Sequence, residues 1–427
     1  MERECRFGIE GMSVHVPRHC IDLGTLAAAR GIDPAKYYEG LGGRRMAVVS
    51  PDEDPVTMAA EAARRLVARH DVDRSEIGMV VVGSETGVDA AKPIASYVHG
   101  LIGLSPQCRT FDTQHACYGA TAALQLAAGW CIQGNGSRRK AIVIATDIAR
   151  YEVGSAGEPT QGAGAIAMLV SCEPRVVAFD RHDEAVFTQD VMDFWRPHYR
   201  STAMVDGRHS LDCYLRALEH TWDAYLGSSG LRFEDFRHLL FHVPFPKMAH
   251  KAFHRLHELE AARRGVAMPP AEAMFDTLTR PSLWANVEVG NIYSGSLYLA
   301  LAGLLEQGDA AIEGARLGLF SYGSGCCAEF YSVLVGPDAT AWRGRIGVAE
   351  ALAGRVEVDY PTYVEMRTRS EGMAGDGSFR EPVHPGNGRV RFLGVRDHRR
   401  VYQAHISPGG DQLRSCTSRA CAGAGSG

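Results

Sequence analysis

The chain has 427 residues, of which 45% are hydrophobic and 22% charged, with a formal net charge of −5. That length exceeds one average domain and supplies ample material for a packed core. The acidic balance argues against nucleic acid as a main partner, for which a basic excess is the expected footprint, but leaves room for a local basic patch against a phosphorylated ligand.

The first residues, MERECRFGIEGMSVHVPRH, carry charges where a signal peptide needs an apolar core. No apolar run reaches the length needed to cross a bilayer. A cytoplasmic protein without membrane attachment is expected. Its 11 cysteines are scattered with no CxxC pair, which suits reduced thiols better than a disulfide framework.

Short apolar runs alternate with amphipathic helices along the chain, the signature of an α/β protein. IGMVVVGS, from Ile77, reads as a buried strand and runs into Glu85. A carboxylate at a buried strand end tends to have a raised pKa and suits a general base, although a helix cap or a solvated turn fits the same pattern. HACYGATAALQLAAGWCIQG reads as a small-residue buried helix with Cys117 at its start. A helix N-terminus favours an anion, which predicts a lowered thiol pKa and an available thiolate there. A structural buried cysteine is the alternative. AIVIATD, from Ala141, and GAIAMLVS, from Gly164, are the next strands.

The second half repeats this order. FRHLLFHV is strand-like, VGNIYSGSLYLALAGLLEQG is a small-residue helix, and RLGLFSYGSG is a strand entering a Gly-rich turn. One gapless offset carries Ala120–Gly134 onto Ser294–Gly308 and Ala141–Asp147 onto Ala315–Ser321, which reads as an internal duplication. Cys117 then faces Asn291, each predicted where a strand ends and a helix begins.

His242 ends its strand beside Pro244 and Pro246, and a hydrogen-bonded core histidine fits that place as well as a catalyst. The helix after it carries Lys247, His250, Lys251, His254 and Arg255 largely at helical spacing, either a solvated face or a basic ridge for phosphates. His250 and His254, at i and i+4, can share a metal, but no HExxH glutamate or further ligand accompanies them. The YGSG turn, Tyr322 to Gly325, can aim backbone N–H groups at an oxyanion. No P-loop or dinucleotide fingerprint occurs. Met373 to Gly388 reads as a surface loop, and the Gly/Ser/Ala-rich tail from Ser407, with Cys416 and Cys421, reads as disordered.

Taken together, EDPVTMAAEAAR, GSETGVDAAK, QHACYGATAALQLA, VIATDIARY, PTQGAGAIAMLV, VMDFWRPHYRSTAMVDG, FHVPFPKMAHKA, GNIYSGSLYLALAGLL and FSYGSG stand in an order and spacing that resemble the 3-hydroxy-3-methylglutaryl-CoA (HMG-CoA) synthase family of the thiolase-like superfamily. The resemblance spans about Phe7 to Gln403. It implies a thiolase-like fold, with two duplicated α/β halves packed as layered αβαβα. The N-terminal half, 1–172, carries Glu85 and Cys117; the C-terminal half, 173–406, carries His242, Asn291 and Ser324; 407–427 is a tail.

The same resemblance implies the roles. Cys117, before YG, is similar to the family's acyl-carrying nucleophile, Glu85 to its general base, and His242 to its catalytic histidine. Asn291 and Ser324 match substrate-contacting positions, Thr160 and Ser201 further binding positions, and Lys247 and Lys251 lysines near the CoA phosphates. Acetyl-CoA and acetoacetyl-CoA are the implied substrates, with no metal or redox cofactor, in a homodimer. VMDFWRPHYRSTAMVDG and DHRRVY look like bacterial mevalonate-pathway members. SYGSGCCAEFYS, with Cys326 and Cys327, and SYVHGLIGL resemble instead the subgroup that acts on acyl carrier protein in polyketide β-branching. A non-catalytic carrier-binding scaffold fits less well, because Cys117, Glu85 and His242 are all present. A thiolase or ketoacyl synthase also fits less well, since those enzymes lack an equivalent of Glu85.

Overall fold

The computed structural model describes residues 6–404 except 134–138, 181–184, 266, 309–311, 372–376, 379–384 and 387. The expected tail with Cys416 and Cys421, and most of the expected loop from Met373 to Gly388, lie outside the described residues.

Ten strands carry the architecture: β1 (Gly8–His15), β2 (Ile77–Gly83), β3 (Arg109–Thr113), β4 (Lys140–Ile148), β5 (Ala163–Ser171), β6 (Val177–Phe179), β7 (Ala185–Thr188), β8 (His238–Phe241), β9 (Arg316–Gly323) and β10 (Cys327–Val335). They join in the order β8-β9-β10-β6-β1-β5-β4-β2-β3, with β7 also paired to β10. β2, β4 and β5 are buried along almost their whole length. Burial on both faces is why they read as continuous apolar runs without alternation.

The helices that matter for the site are α1 (Pro55–Arg69), α2 (Ile94–Ile102), α3 (Gly119–Gln133), α4 (Gly207–Ser229), α5 (Pro246–Arg264), α6 (Ala271–Leu278) and α7 (Ser296–Gln307). α1 packs on β1, β4 and β5 from outside, and α4 and α5 cover the β8-to-β10 side. Between the two portions of sheet lie α3, against β2, β4 and β5, and α7, against β1, β8 and β9. Thr121 of α3 ties these middle layers together, bonding Tyr298 Oη at 2.6 Å and Ser321 Oγ at 2.7 Å. The result is the layered αβαβα thiolase-like fold. A helix with sheet on both sides must be slim and apolar all round, and every residue from Ser296 to Leu305 is buried.

The repeat seen in the sequence recurs as pairing. β2 runs parallel to β4, which is antiparallel to β5; β8 runs parallel to β9, which is antiparallel to β10. The common offset stops at the following hairpin. Residues 149–162 join β4 to β5, whereas only 324–326 join β9 to β10. Asn291 departs from expectation, since it follows a short helix, Trp284–Val289, and Gly290 instead of a strand. No helix among the described residues is long and apolar enough to cross a membrane, and none of the described cysteines is in a disulfide.

Candidate active site

Cys117 lies in the turn between β3 and α3, two residues before the helix begins. Ala116, just ahead of it, takes a φ of 37°, a left-handed conformation that costs a residue with a Cβ about 1–3 kcal/mol. The turn is held by the last glycine of one strand from each half. A Cβ on Gly83 would stand 2.4 Å from Ala120 Cα, and one on Gly323 would stand 2.6 Å from His115 O and Tyr118 Cβ. No larger residue fits at either place. Cys117 therefore sits where the two halves meet, deep among protein atoms yet with part of its surface still accessible.

Glu85 stands two residues past β2 and is 7% exposed. Cys117 Sγ donates to its Oε1 at 3.6 Å. Behind this pair lies Asp147, at the end of β4, with no exposed surface. Its Oδ1 accepts from Ser84 Oγ at 3.0 Å, Glu85 N at 2.9 Å and Thr86 Oγ1 at 2.8 Å; its Oδ2 accepts from Ser294 N at 3.0 Å and Ser294 Oγ at 2.5 Å. Burial, reinforced by the Asp147 charge and opposed by Arg196, pushes the Glu85 carboxyl up to about 8. That is the raised strand-end carboxylate expected from the sequence.

The thiol behaves contrary to expectation. Burial first, then the charges of Glu85 and Asp147, push Cys117 well above the ordinary thiol range. A helix terminus carries only about half an elementary charge. Two nearby carboxylates in a poorly solvated site outweigh it, so Cys117 rests as a thiol and not as a thiolate.

His242 directly follows β8 and is 2% exposed. Its N–H donates to Phe320 O at 2.8 Å and its carbonyl accepts from Tyr214 Oη at 2.8 Å. Burial first, then the Cys117 charge, push the Tyr214 phenol well above its ordinary range. Burial drives the imidazole down to about 3. A neutral ring of this kind polarises a carbonyl by hydrogen bonding, instead of arriving as an imidazolium with a proton to give.

The other expected residues divide. Asn291 N–H donates to Thr160 O at 2.9 Å, and Asn291 Oδ1 accepts from Tyr293 N and Ser296 Oγ, each at 2.9 Å. Thr160 and Tyr293 both hydrogen-bond Tyr151, whose phenol is pushed up by burial and then by the Cys117 and Glu85 charges. Ser324 is in the β9–β10 turn, where Gly325 N–H is already donated to Asp193 Oδ1 at 2.9 Å and Cys326 N–H to Gln189 O at 2.6 Å. Those two N–H groups are not available to an oxyanion. Ser201 is exposed on the surface. Lys247 and Lys251 lie one turn apart on α5, and Lys247 N–H donates to Leu41 O at 2.9 Å.

Three residues were not singled out from the sequence. Asp147 anchors the Glu85 backbone. Asp193, fully buried, accepts from Tyr322 Oη at 2.8 Å as well as from Gly325. Arg196 donates through Nη2 to Glu85 O. Asp147 was the most legible of them, because AIVIATD ends in a carboxylate just as the strand before Glu85 does.

The models of the hydroxymethylglutaryl-coenzyme A synthase N-terminal and C-terminal regions match residues 3–174 and residues 177–267 with 257–383. The hydroxymethylglutaryl-CoA synthase of Enterococcus faecalis is 41% identical over 325 residues, covering 76% of this chain and 82% of its own. The polyketide biosynthesis 3-hydroxy-3-methylglutaryl-ACP synthase PksG of Bacillus subtilis is 34% identical, covering 87% of this chain and 90% of its own. The solved structure of MvaS in complex with 3-hydroxy-3-methylglutaryl coenzyme A superimposes with a TM-score of 0.86 at 45% identity, over 94% of this chain and 99% of that one. The curacin-pathway HMG synthase in complex with holo donor-ACP gives 0.83 at 31% identity, over 94% of this chain and 100% of that one. With a thiol, a carboxylate and an imidazole set at strand ends of a duplicated thiolase-like fold, the chain belongs to the hydroxymethylglutaryl-CoA synthase family and is an enzyme of the acyltransferase type.

Proposed function

We propose that the chain joins an acetyl group carried on Cys117 to the ketone of acetoacetyl-CoA, giving HMG-CoA and free CoA, as in the mevalonate pathway. The observation that carries this reading is the 3.6 Å contact of Cys117 Sγ with Glu85 Oε1, a nucleophile and a high-pKa base side by side in a buried site. Cys117 Sγ attacks acetyl-CoA; the new thioester forms, the old one breaks, and the thiol proton leaves on CoA sulfur. Glu85 carboxylate takes a proton from the methyl group of acetyl-S-Cys117. The resulting carbon nucleophile attacks the ketone, which neutral His242 polarises by hydrogen bonding, and the alkoxide regains the proton that Glu85 removed. Water then cleaves the Cys117 thioester, releasing a carboxylate and restoring the thiol. The steps involve no net oxidation or reduction, so they need no redox cofactor.

The higher identity to the Enterococcus enzyme and to MvaS supports CoA as the carrier, and so do Lys247 and Lys251 on one face of α5. The proposal includes a cytoplasmic homodimer; β3 ends the sheet with its residues half-exposed or exposed, an edge that a second copy can extend. The donor-ACP complex of the curacin enzyme supports a second reading, in which the same condensation runs on carrier-bound β-ketoacyl groups.

Released thiol measured with acetyl-CoA plus acetoacetyl-CoA tests the assignment. Turnover supports the CoA enzyme; turnover only with carrier-bound acyl groups moves it to the second reading; a chain that is never acetylated is a scaffold. Cys117→Ser should show no acetyl adduct by intact-protein mass spectrometry, and an adduct retained on that variant would remove Cys117 from the role. Lys247→Ala should raise KM about tenfold for CoA thioesters, the worth of one charge-assisted phosphate contact, and leave pantetheine thioesters nearly unaffected. Equal effects on both would place Lys247 away from the phosphates.

A further inference from the structure

We propose that His250, His254 and Glu272 form a binding site for one divalent transition metal of the zinc class, where α5 meets α6. Among the described residues this is the group of three whose ligand atoms converge within 4.8 Å. His250 Nε2 lies 2.7 Å and His254 Nε2 3.2 Å from the same oxygen, Glu272 Oε2. Ligands of a tetrahedral zinc at about 2.0–2.1 Å stand about 3.3 Å from one another. A metal therefore replaces the shared proton contacts with small side-chain adjustments and no movement of either helix.

The ligands are held ready by their surroundings. The two imidazoles lie 4.1 Å apart, one turn along α5, and the His250 ring meets the edge of Phe275 at 4.9 Å. Phe275, 2% exposed, anchors α6 beneath them. Arg280 sits over the Phe275 ring at 4.9 Å and donates Nη2 to Glu272 Oε1 at 2.9 Å. One carboxylate oxygen is thus fixed by a guanidinium while the other faces both histidines. That is the outer hydrogen bonding which orients ligands at metal centres. Two imidazoles and a carboxylate suit zinc, copper or nickel over magnesium or calcium, and three protein ligands leave a fourth position for water.

The sequence displays only the two histidines. Glu272 lies 22 and 18 residues further on, in a different helix, so no spacing motif joins it to them. The site stands apart from Cys117, Glu85 and His242. Its metal would pin α5, which begins four residues after His242 and carries Lys247 and Lys251, to the neighbouring helix.

Titrating the chelator-stripped, untagged full chain with Co2+ and displacing it with Zn2+ tests the site. The expected result is saturation at one equivalent, with visible bands of nitrogen and oxygen ligation and no thiolate charge-transfer band. Zn2+ should also raise the melting temperature. His250→Gln/His254→Gln and, separately, Glu272→Gln should weaken binding more than about tenfold, since removing even an outer partner of a ligand costs about 10–100-fold. Both sites of substitution are partly exposed, and circular dichroism checks that the variants are folded. Absence of saturable binding, a thiolate charge-transfer band, or full affinity in the folded double variant would each overturn the assignment.

Discussion

Glu85→Ala should accumulate acetyl-S-Cys117 and lower the rate of condensation by about 10²–10⁴-fold, the usual worth of a general base. The two half-reactions respond differently because Glu85 acts on them with opposite sign. Its charge and its contact are two of the influences that hold the Cys117 thiol high. Removing the carboxylate therefore makes the sulfur easier to ionise, and acetylation survives. Removing a proton from the acetyl methyl group has no other carboxylate within hydrogen-bond reach of the sulfur among the described residues. Because folding lifts Glu85 to about 8, the active carboxylate is a minority below that pH. Condensation by the wild-type enzyme should accordingly rise with pH and level off above about 8, and the residual condensation in Glu85→Ala should lose that limb. Single-turnover mass spectrometry of the acetyl-enzyme separates the steps. Condensation by the variant within tenfold of wild type would remove Glu85 from the role.

How much of this was legible depended on the range of the forces involved. The strands were readable because burial on both faces writes uninterrupted runs such as MVVV and AIVIA into the chain, and the observed bounds fall within three residues of those runs. Glu85 and His242 stood out as polar groups directly after such runs, and the resemblance supplied their roles. Through-space chemistry was not readable. The helix start behind Cys117 is visible locally, but the carboxylates that reverse its effect come from positions 85 and 147. Arg196 sits in an irregular segment with no periodicity, and only the fold brings it to the Glu85 carbonyl. Asn291 was misplaced for a related reason. Its offset to Cys117 is real in the helices that follow, but the segments leading into the two positions have different structures.

Asp147→Asn is the second substitution with a large expected effect, on stability and on catalysis together. All five groups that meet Asp147 donate, two of them backbone N–H groups, from Glu85 on Oδ1 and from Ser294 on Oδ2. An asparagine offers one oxygen, so whichever way it turns, its NH2 faces one of those N–H groups. Each buried polar group left unsatisfied costs about 1–3 kcal/mol, and loss of the charge-assisted bonds brings the total to about 3–5 kcal/mol. Because these donors belong to both halves, the loosening falls on the junction that holds Cys117, and a displaced Glu85 lowers kcat by about 10²-fold. A purely structural role would stop there. The Asp147 charge is also the second cause of the raised Glu85 pKa, and the Arg196 charge opposes it. In Asp147→Asn the acid limb of single-turnover condensation should therefore move to lower pH, and in Arg196→Gln it should move to higher pH. Limbs that stay fixed, or that move the same way in both variants, would show that neither charge sets the basicity of Glu85.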